Sequence, residues 1–161
     1  MIKIFDNVIS EEVQSQIHKE ILSLSYVPEQ DSPKTPACGY SSGLELNSLT
    51  FQTLNNILQN IPELRGTELY KVMVNKFLPN EVPYFHTDHI DGIGYTALYY
   101  SNDNQFNLEE LGETLFYLKE PDEIRGILPK PGRLVIFNAD ILHRATSFRN
   151  IDRYTVAFKF R

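Results

Sequence analysis

Hydrophobic residues in the first third of the chain repeat with the period of an α-helix. Ser10 is a suitable helix N-cap. The apolar residues after it are spaced by four, four and three positions: Val13, Ile17, Ile21 and Leu24. The same pattern after Ser48 predicts a second helix, which ends near Pro62. With a short apolar strand at residues 2–5 before them, these segments predict a helical support over about residues 8–62.

From Gly66 onward the pattern alternates between apolar and polar residues, which is typical of strands with one buried face. Turn sequences rich in Gly, Pro and Asn separate the alternating runs. The predicted strands are residues 69–77, 84–88, 95–101, 114–118, 134–137, 142–147 and 153–160. Helices followed by many short strands predict a mostly β fold, with two sheets packed as a barrel-like sandwich. We expect a single domain over residues 1–161, with the β core at about 67–161.

Composition restricts the environment and the partners of the chain. Its 161 residues, 42% of them hydrophobic, are enough for an ordinary core. The net charge is −6 and no basic run is present, so a nucleic-acid partner is less expected than another substrate. Cys38 is the only cysteine, and no apolar run is long enough to span a bilayer. These features predict a cytoplasmic protein without an internal disulfide.

Three residues of the β-rich part have the chemistry of a metal site. His86 and Asp88 are two positions apart in a predicted strand, so their side chains point to the same side. His143, on a distant strand, is the candidate for a third ligand. Two imidazoles and one carboxylate on one face of an octahedron are diagnostic of non-haem Fe(II) oxygenases. An H-x-D pair alone also occurs in many proteins without a metal, so its surroundings decide.

Two other histidines are weaker candidates for metal ligands. His89 competes with the triad, but alternation places it on the strand face opposite to His86. His18 falls between turns of the apolar stripe of the first helix, which predicts a surface residue. We therefore expect the ligands to be His86, Asp88 and His143.

The last predicted strand has one apolar face and one face that carries chemistry. By alternation the second face presents Arg153, Thr155, Ala157 and Lys159. A buried arginine needs a partner, and its planar fork suits a carboxylate, so a dicarboxylate cosubstrate would satisfy Arg153. A structural salt bridge to an acidic residue of the chain is the open alternative. Arg144 and Arg149 lie in or beside a predicted loop, where we expect them in solvent.

These residues together resemble the 2-oxoglutarate- and Fe(II)-dependent oxygenases, specifically the prolyl 4-hydroxylase-like branch. The resemblance extends over about residues 70–160. His86-Thr87-Asp88 resembles the H-x-D motif, His143 the distal histidine, and Arg153 with Thr155 the R-x-S/T element of this family. Residues 112–116 and 130–137 are similar to two further strand motifs.

Three positions depart from the pattern of the family. Pro83 stands where an aromatic residue is often found three positions before the first ligand. Leu111 replaces the first glycine of a G-G-E-T motif, and Lys159 stands where some relatives carry tryptophan. These departures leave the iron ligands untouched, but they leave the substrate class open.

The resemblance implies a double-stranded β-helix (jelly-roll, cupin-like) core and an oxygenase that uses Fe(II), 2-oxoglutarate and O2. His86, Asp88 and His143 would hold the iron. Arg153 and Thr155 would hold the far carboxylate of 2-oxoglutarate, and by the same similarity Tyr100 would donate its hydroxyl to it. The products would be a hydroxylated substrate, succinate and CO2, with ascorbate as a candidate reductant.

The resemblance favours a prolyl residue of a peptide or protein as the substrate. Residues 29–43 and 101–111 have the composition of loops and are candidate lids over it. A free amino acid or small metabolite is the second alternative. AlkB-like nucleic-acid demethylation is supported by Asn75-Lys76-Phe77 and opposed by the acidic charge. A non-catalytic, cupin-like binding module is the alternative that is not an enzyme.

Overall fold

The computed structural model describes residues 1–31, 36–88, 94–102 and 107–161 of the chain. Its helices are α1 (Glu11–Leu22) and α2 (Leu49–Leu58), with 3-10 helices at Pro62–Leu64 and Leu108–Glu110. The strands are β1 (Ile2–Phe5), β2 (Val27–Pro28), β3 (Tyr40–Ser42), β4 (Leu69–Phe77), β5 (Tyr95–Tyr100), β6 (Thr114–Leu118), β7 (Glu123–Ile127), β8 (Leu134–Asn138), β9 (His143–Ala145) and β10 (Arg153–Phe160). None of the described helices is long and apolar enough to cross a membrane.

The strands form two antiparallel sheets. The larger sheet has the order β1-β8-β5-β10-β4-β3-β2, and the smaller sheet has the order β7-β6-β9. In the larger sheet β10 lies between β4 and β5 and pairs with both. This mostly β architecture with helices near its N-terminus is the one predicted from the sequence.

Both helices begin at the predicted serine caps. The Ser10 hydroxyl accepts a hydrogen bond from Val13 N at 3.4 Å, and the Ser48 hydroxyl accepts one from Phe51 N at 3.1 Å. The helices bury their apolar faces in a cluster that contains Ile17, Ile21, Leu54 and Leu58. The end predicted for α2 near Pro62 is wrong, because the helix stops at Leu58.

The two faces of β10 have different neighbours, as the alternation predicts. Its apolar face joins the cluster beneath the helices through Tyr154, Val156, Phe158 and Phe160. Its other face lines a cavity of about 310 Å³ through Arg153, Thr155, Ala157 and Lys159. The opposite wall includes residues of the smaller sheet, such as Thr114 and His143. One strand therefore separates the apolar core from the cavity.

Three predictions of local structure are wrong. Residues 84–88 do not form a strand, because within them His86 alone has a ladder partner, in an isolated bridge to His143. The alternating pattern missed β7, whose side chains are mostly exposed. The loop predicted at residues 29–43 contains β3, which pairs with β4 and so extends the larger sheet. Parts of both candidate lids, residues 32–35 and 103–106, lie outside the described residues.

Candidate metal and cosubstrate site

Backbone hydrogen bonds hold His86 and His143 next to each other. His86 N donates to His143 O at 3.0 Å, and His143 N donates to His86 O at 2.9 Å. Residues paired in this way in an antiparallel ladder direct their side chains to the same face. The two imidazole centroids are accordingly 4.5 Å apart. The isolated bridge thus brings together two candidate ligands that are distant in the sequence.

Carbonyl groups orient both imidazole rings. His86 Nδ1 lies 3.1 Å from Tyr84 O, and His143 Nδ1 lies 2.8 Å from Ile141 O. Because a carbonyl oxygen can only accept, each Nδ1 carries the proton and each Nε2 keeps its lone pair for a metal. Burial lowers the pKa of His143 to about 4, against the opposing attraction of Asp88. His143 is therefore neutral at pH 7.

Asp88 supplies the third donor. Its backbone N–H donates to Ala139 O at 2.9 Å. Asp88 Oδ1 is 3.7 Å from His86 Nε2, and Oδ2 is 3.5 Å from His143 Nε2. One donor atom from each of the three residues lies within 4.8 Å of the others. Donors bound at about 2.1 Å to one ion lie roughly 3 to 3.5 Å apart, so a small contraction would close this triad on a metal.

Lys159 and Thr96 hold the carboxylate of Asp88. Lys159 Nζ donates to Oδ1 at 2.7 Å, and Thr96 Oγ1 donates to Oδ2 at 2.6 Å. Burial raises the pKa of Asp88, but three effects outweigh it and lower the pKa to about 2: the attraction of His143, which is protonated in this acidic range, the charge of Lys159, and the two hydrogen bonds. Asp88 is therefore ionised at neutral pH, as a metal ligand must be. Alternation along the last strand predicts the face of Lys159 but no partner for it, and no pattern in the sequence indicates Thr96.

The site is enclosed at His143 and open at His86. The rings of Phe137 and Phe116 lie 4.6 and 5.9 Å from the His143 ring, measured between centroids. The side chain of His143 is 8% exposed, whereas that of His86 is 45% exposed. A second molecule can therefore reach the triad from the side of His86.

Arg153 is buried in the wall of the same cavity. It is 1% exposed, its Nε donates to Gly112 O at 2.9 Å, and its Nη2 donates to Thr114 Oγ1 at 2.9 Å. Among the described residues, no carboxylate forms an ion pair with Arg153. The structural salt bridge considered from the sequence therefore has no support there. A buried guanidinium without a counter-ion is a favourable place for an anionic ligand.

Gly112 makes this position of Arg153 possible. It adopts a φ of +88°, and a Cβ atom on it would lie 2.4 Å from the Phe148 ring. Any other residue would clash with the ring and strain the backbone that directs the Gly112 carbonyl to Arg153. The preceding Leu111 also has a positive φ, of 64°. Glycine adopts a positive φ without strain, so a leucine at this position is unusual.

Three hydroxyl groups near Arg153 have different environments. Thr155 Oγ1 is buried without a hydrogen-bond partner among the described residues. The Tyr100 hydroxyl donates to Thr114 Oγ1 at 2.6 Å, and Tyr100 is 2% exposed. Thr114 itself lines the cavity, as Thr155 does. Direct contact between Tyr100 and a cosubstrate stays a prediction, and Thr114, which sequence analysis missed, is a further candidate.

One other histidine and two arginines considered from the sequence lie in the described part of the chain and are not ligands of the triad. His18 is half-buried, with its ring 5.9 Å from that of Tyr154, so the prediction of a surface residue is wrong. Arg144 lies half-buried in β9, 4.6 Å from the Phe85 ring centroid, and not in solvent. Arg149 is exposed as expected. His89 lies outside the described residues.

This chain is similar to known proteins in its fold and not in its sequence. No protein-family model matches the chain, and no curated protein matches its sequence. Solved structures do match. A prolyl hydroxylase from Trichoplax adhaerens, in complex with a hypoxia inducible factor oxygen degradation domain peptide fragment, superimposes with a TM-score of 0.79. It shares 17% identity, over 99% of this chain and 82% of the other.

Two further structures give the same result. A prolyl-4-hydroxylase from Pseudomonas putida superimposes with a TM-score of 0.74 and 14% identity, over 99% of this chain and 91% of the other. HygX from Streptomyces hygroscopicus, with nickel and 2-oxoglutarate bound, gives a TM-score of 0.71 and 12% identity, over 99% and 82%. The expected jelly-roll fold is thereby confirmed: it is the fold of the prolyl hydroxylases and other 2-oxoglutarate/Fe(II) oxygenases.

Proposed function

We propose that this chain, which has the fold of the 2-oxoglutarate/Fe(II) oxygenases, is itself an Fe(II)- and 2-oxoglutarate-dependent dioxygenase that hydroxylates a C–H bond. One observation carries the proposal. His86, Asp88 and His143 offer donor atoms within 4.8 Å of one another, in the wall of the cavity that also contains Arg153. A purely structural metal site would not need a buried arginine without a counter-ion beside it.

The residues of the site fit the two groups that this function requires. His86 Nε2, His143 Nε2 and a carboxylate oxygen of Asp88 would hold Fe(II). Arg153, with the hydroxyl groups of Thr155 and Thr114, would hold the far carboxylate of 2-oxoglutarate. When bound, the iron and the cosubstrate supply the oxidising chemistry, in which O2 is consumed and succinate and CO2 are released.

The chain itself contributes orientation and exclusion of water. Lys159 and Thr96 hold the carboxylate of Asp88, so that its orientation is restricted before a metal binds. Phe116 and Phe137 cover the His143 ring and keep that side of the site dry. Electrostatic contacts are stronger in such surroundings than in water. The exposed side of His86 is left for the substrate.

For the substrate we favour a prolyl residue of a peptide or protein. Both prolyl hydroxylases described above have the same fold as this chain, and the one from Trichoplax adhaerens is in complex with a peptide. Tyr84, which is 57% exposed, lines the cavity and offers a ring against which a peptide can pack. Pro36, Cys38 and Tyr40 also line it, which supports residues 29–43 as a cover. A lid at residues 101–111 stays a prediction.

Hydroxylation of a small molecule is the second candidate. A structure of HygX with nickel and 2-oxoglutarate also contains hygromycin B. The cavity of about 310 Å³ has the size of a small-molecule site. Nucleic-acid demethylation remains less expected, because the chain carries a net charge of −6. The use of ascorbate and the cytoplasmic location stay predictions from the sequence.

Release of succinate tests the proposed function. With Fe(II), 2-oxoglutarate and ascorbate, an oxygenase should turn over slowly even without its prime substrate, and a non-catalytic binding module should not. His86→Ala, Asp88→Ala and His143→Ala should each lower this release by more than about a hundredfold, because two remaining donors hold iron weakly. Asp140→Ala, which removes an exposed carboxylate from the neighbouring loop, is the control and should stay active. Full activity in any triad variant would contradict the assignment.

A further inference from the structure

The cavity face of the larger sheet has positive charges at both of its ends. On β10 this face runs from Arg153 to Lys159, and on β4 the residue paired with Lys159 is Lys71. Both lysines line the cavity. Arg153 and Lys159 are separated by roughly 20 Å along the strand. One end thus carries the guanidinium proposed for the cosubstrate, and the other end carries two lysines, of which Lys159 contacts Asp88.

The positive charges of Lys71 and Lys159 are not neutralised to the same extent by neighbouring residues. Like charges directly opposite each other on antiparallel strands repel. Lys159 pairs with Asp88 at 2.7 Å. Lys71 is exposed and has no ion pair or hydrogen bond in the described part of the chain. An anion that binds both ammonium groups would reduce their repulsion. Asp88 pairs with Lys159 alone, and no described residue pairs with Lys71.

Counted over the described residues that line it, the cavity wall stays positive even with iron and cosubstrate in place. Positive charge comes from Lys71, Arg153, Lys159 and a divalent ion, and negative charge comes from Glu29, Asp88 and a dianionic cosubstrate. The positive charges are in excess by one, although the whole chain carries a net charge of −6. A substrate with one negative charge would balance the site, whereas a neutral substrate would not.

We propose that the prime substrate carries a carboxylate close to the carbon that is hydroxylated, and that Lys71, together with Lys159, binds this carboxylate. The inference rests on the proposed function. Lys159 Nζ is 2.7 Å from Asp88 Oδ1. A carboxylate shared by the lysines would therefore lie within about 8 Å of an ion held by Asp88. The reacting C–H bond, which must also lie beside the ion, is then only a few bonds from the carboxylate.

This chemistry has two possible sources. The carboxylate belongs either to a free amino acid or other small acid, or to an acidic side chain next to the target residue of a peptide. The test uses matched pairs that differ only in charge. The first kind of pair is a free amino acid and its amide. The second kind is two prolyl peptides that differ only in the residue after proline, which is aspartate in one and asparagine in the other. Calorimetry on protein loaded with Zn(II) and 2-oxoglutarate measures binding, and mass spectrometry with Fe(II) measures addition of oxygen.

The acid of at least one pair should bind at least about tenfold more tightly than its amide, and Lys71→Gln should abolish this preference. Lys71→Arg keeps the charge and should retain the preference. Lys119→Gln, an exposed lysine in the turn after β6, is the control and should retain it too. Because Lys71 is exposed, none of these changes removes a core contact.

Each outcome decides the proposal. Preference for free acids assigns a small acid, and preference for aspartyl peptides assigns an acidic peptide. If no acid binds better than its amide, or if Lys71→Gln leaves the preference unchanged, the proposal is overturned. If the proposed function is wrong but the carboxylate site is right, wild-type protein should bind acids through Lys71 and yet release no succinate with Fe(II).

Discussion

Arg133 and Arg153 are both buried, but their charges are satisfied in different ways. Arg133 is 8% exposed, and its Nε and Nη2 donate to the two carboxylate oxygens of Asp6 at 2.7 and 2.9 Å. Its Nη1 donates to Leu128 O at 3.0 Å. The hydrogen bond from Arg133 lowers the pKa of Asp6. This arginine therefore connects the chain after β1 to the turn before β8.

Arg153 is the more deeply buried of the two, at 1% exposed, yet its hydrogen bonds to described residues go to neutral groups, among them the Gly112 carbonyl and the Thr114 hydroxyl. Because no described carboxylate pairs with it, its charge is left for a molecule from outside the chain. The difference indicates that Arg133 stabilises the fold, whereas Arg153 is available to bind a ligand. Substitutions at the two positions should therefore affect different measurements.

The largest effect is expected from Arg153→Gln. Loss of a charge-assisted pair typically costs a few kcal/mol, so the affinity for 2-oxoglutarate should fall roughly a hundredfold. Calorimetric titration of metal-loaded protein measures the affinity, and denaturant unfolding of the same variant measures its stability. Unchanged binding of 2-oxoglutarate would remove Arg153 from the cosubstrate site.

Arg133→Gln should have the opposite profile. It breaks the pair with Asp6, so the free energy of unfolding should fall by about 2 kcal/mol. The affinity of the folded protein for 2-oxoglutarate should stay within about twofold of wild type, because the Arg133 side chain bonds to Asp6 and Leu128 and not to the groups that hold Arg153. Arg65→Gln, at an exposed arginine, is the control and should change stability by less than about 0.5 kcal/mol. A selective loss of cosubstrate affinity in Arg133→Gln would contradict the comparison.

The smallest effects are expected at two threonines beside Arg153. Thr155→Val removes a buried hydroxyl that bonds to no described residue, and it should stabilise the ligand-free protein by about 1 kcal/mol while weakening cosubstrate binding. Thr114→Val should destabilise it by about 1 kcal/mol, because Thr114 Oγ1 accepts from both Tyr100 and Arg153. Parallel denaturant titrations measure both changes. Shifts of the same sign would show that Thr155 is not held ready for a ligand.

Local signals in the sequence were sufficient for much of the fold. The serine caps of α1 and α2 depend on side chains that bond within one helical turn, so they can be recognised without the rest of the chain. The two faces of β10 follow from strand geometry alone. The same alternation was sufficient to name Arg153 and Thr155 as residues of one face, with Lys159 beyond them. The jelly-roll fold itself was expected from the resemblance.

Only the tertiary structure decided which residues from distant strands meet. Alternation predicts the face on which a side chain lies, but not the strand opposite or its register. The bridge between His86 and His143, the contacts of Lys159 and Thr96 with Asp88, and the position of Lys71 all depend on long-range pairing. Such pairing is determined by the packing of the whole chain, because backbone groups of every residue make the same hydrogen bonds.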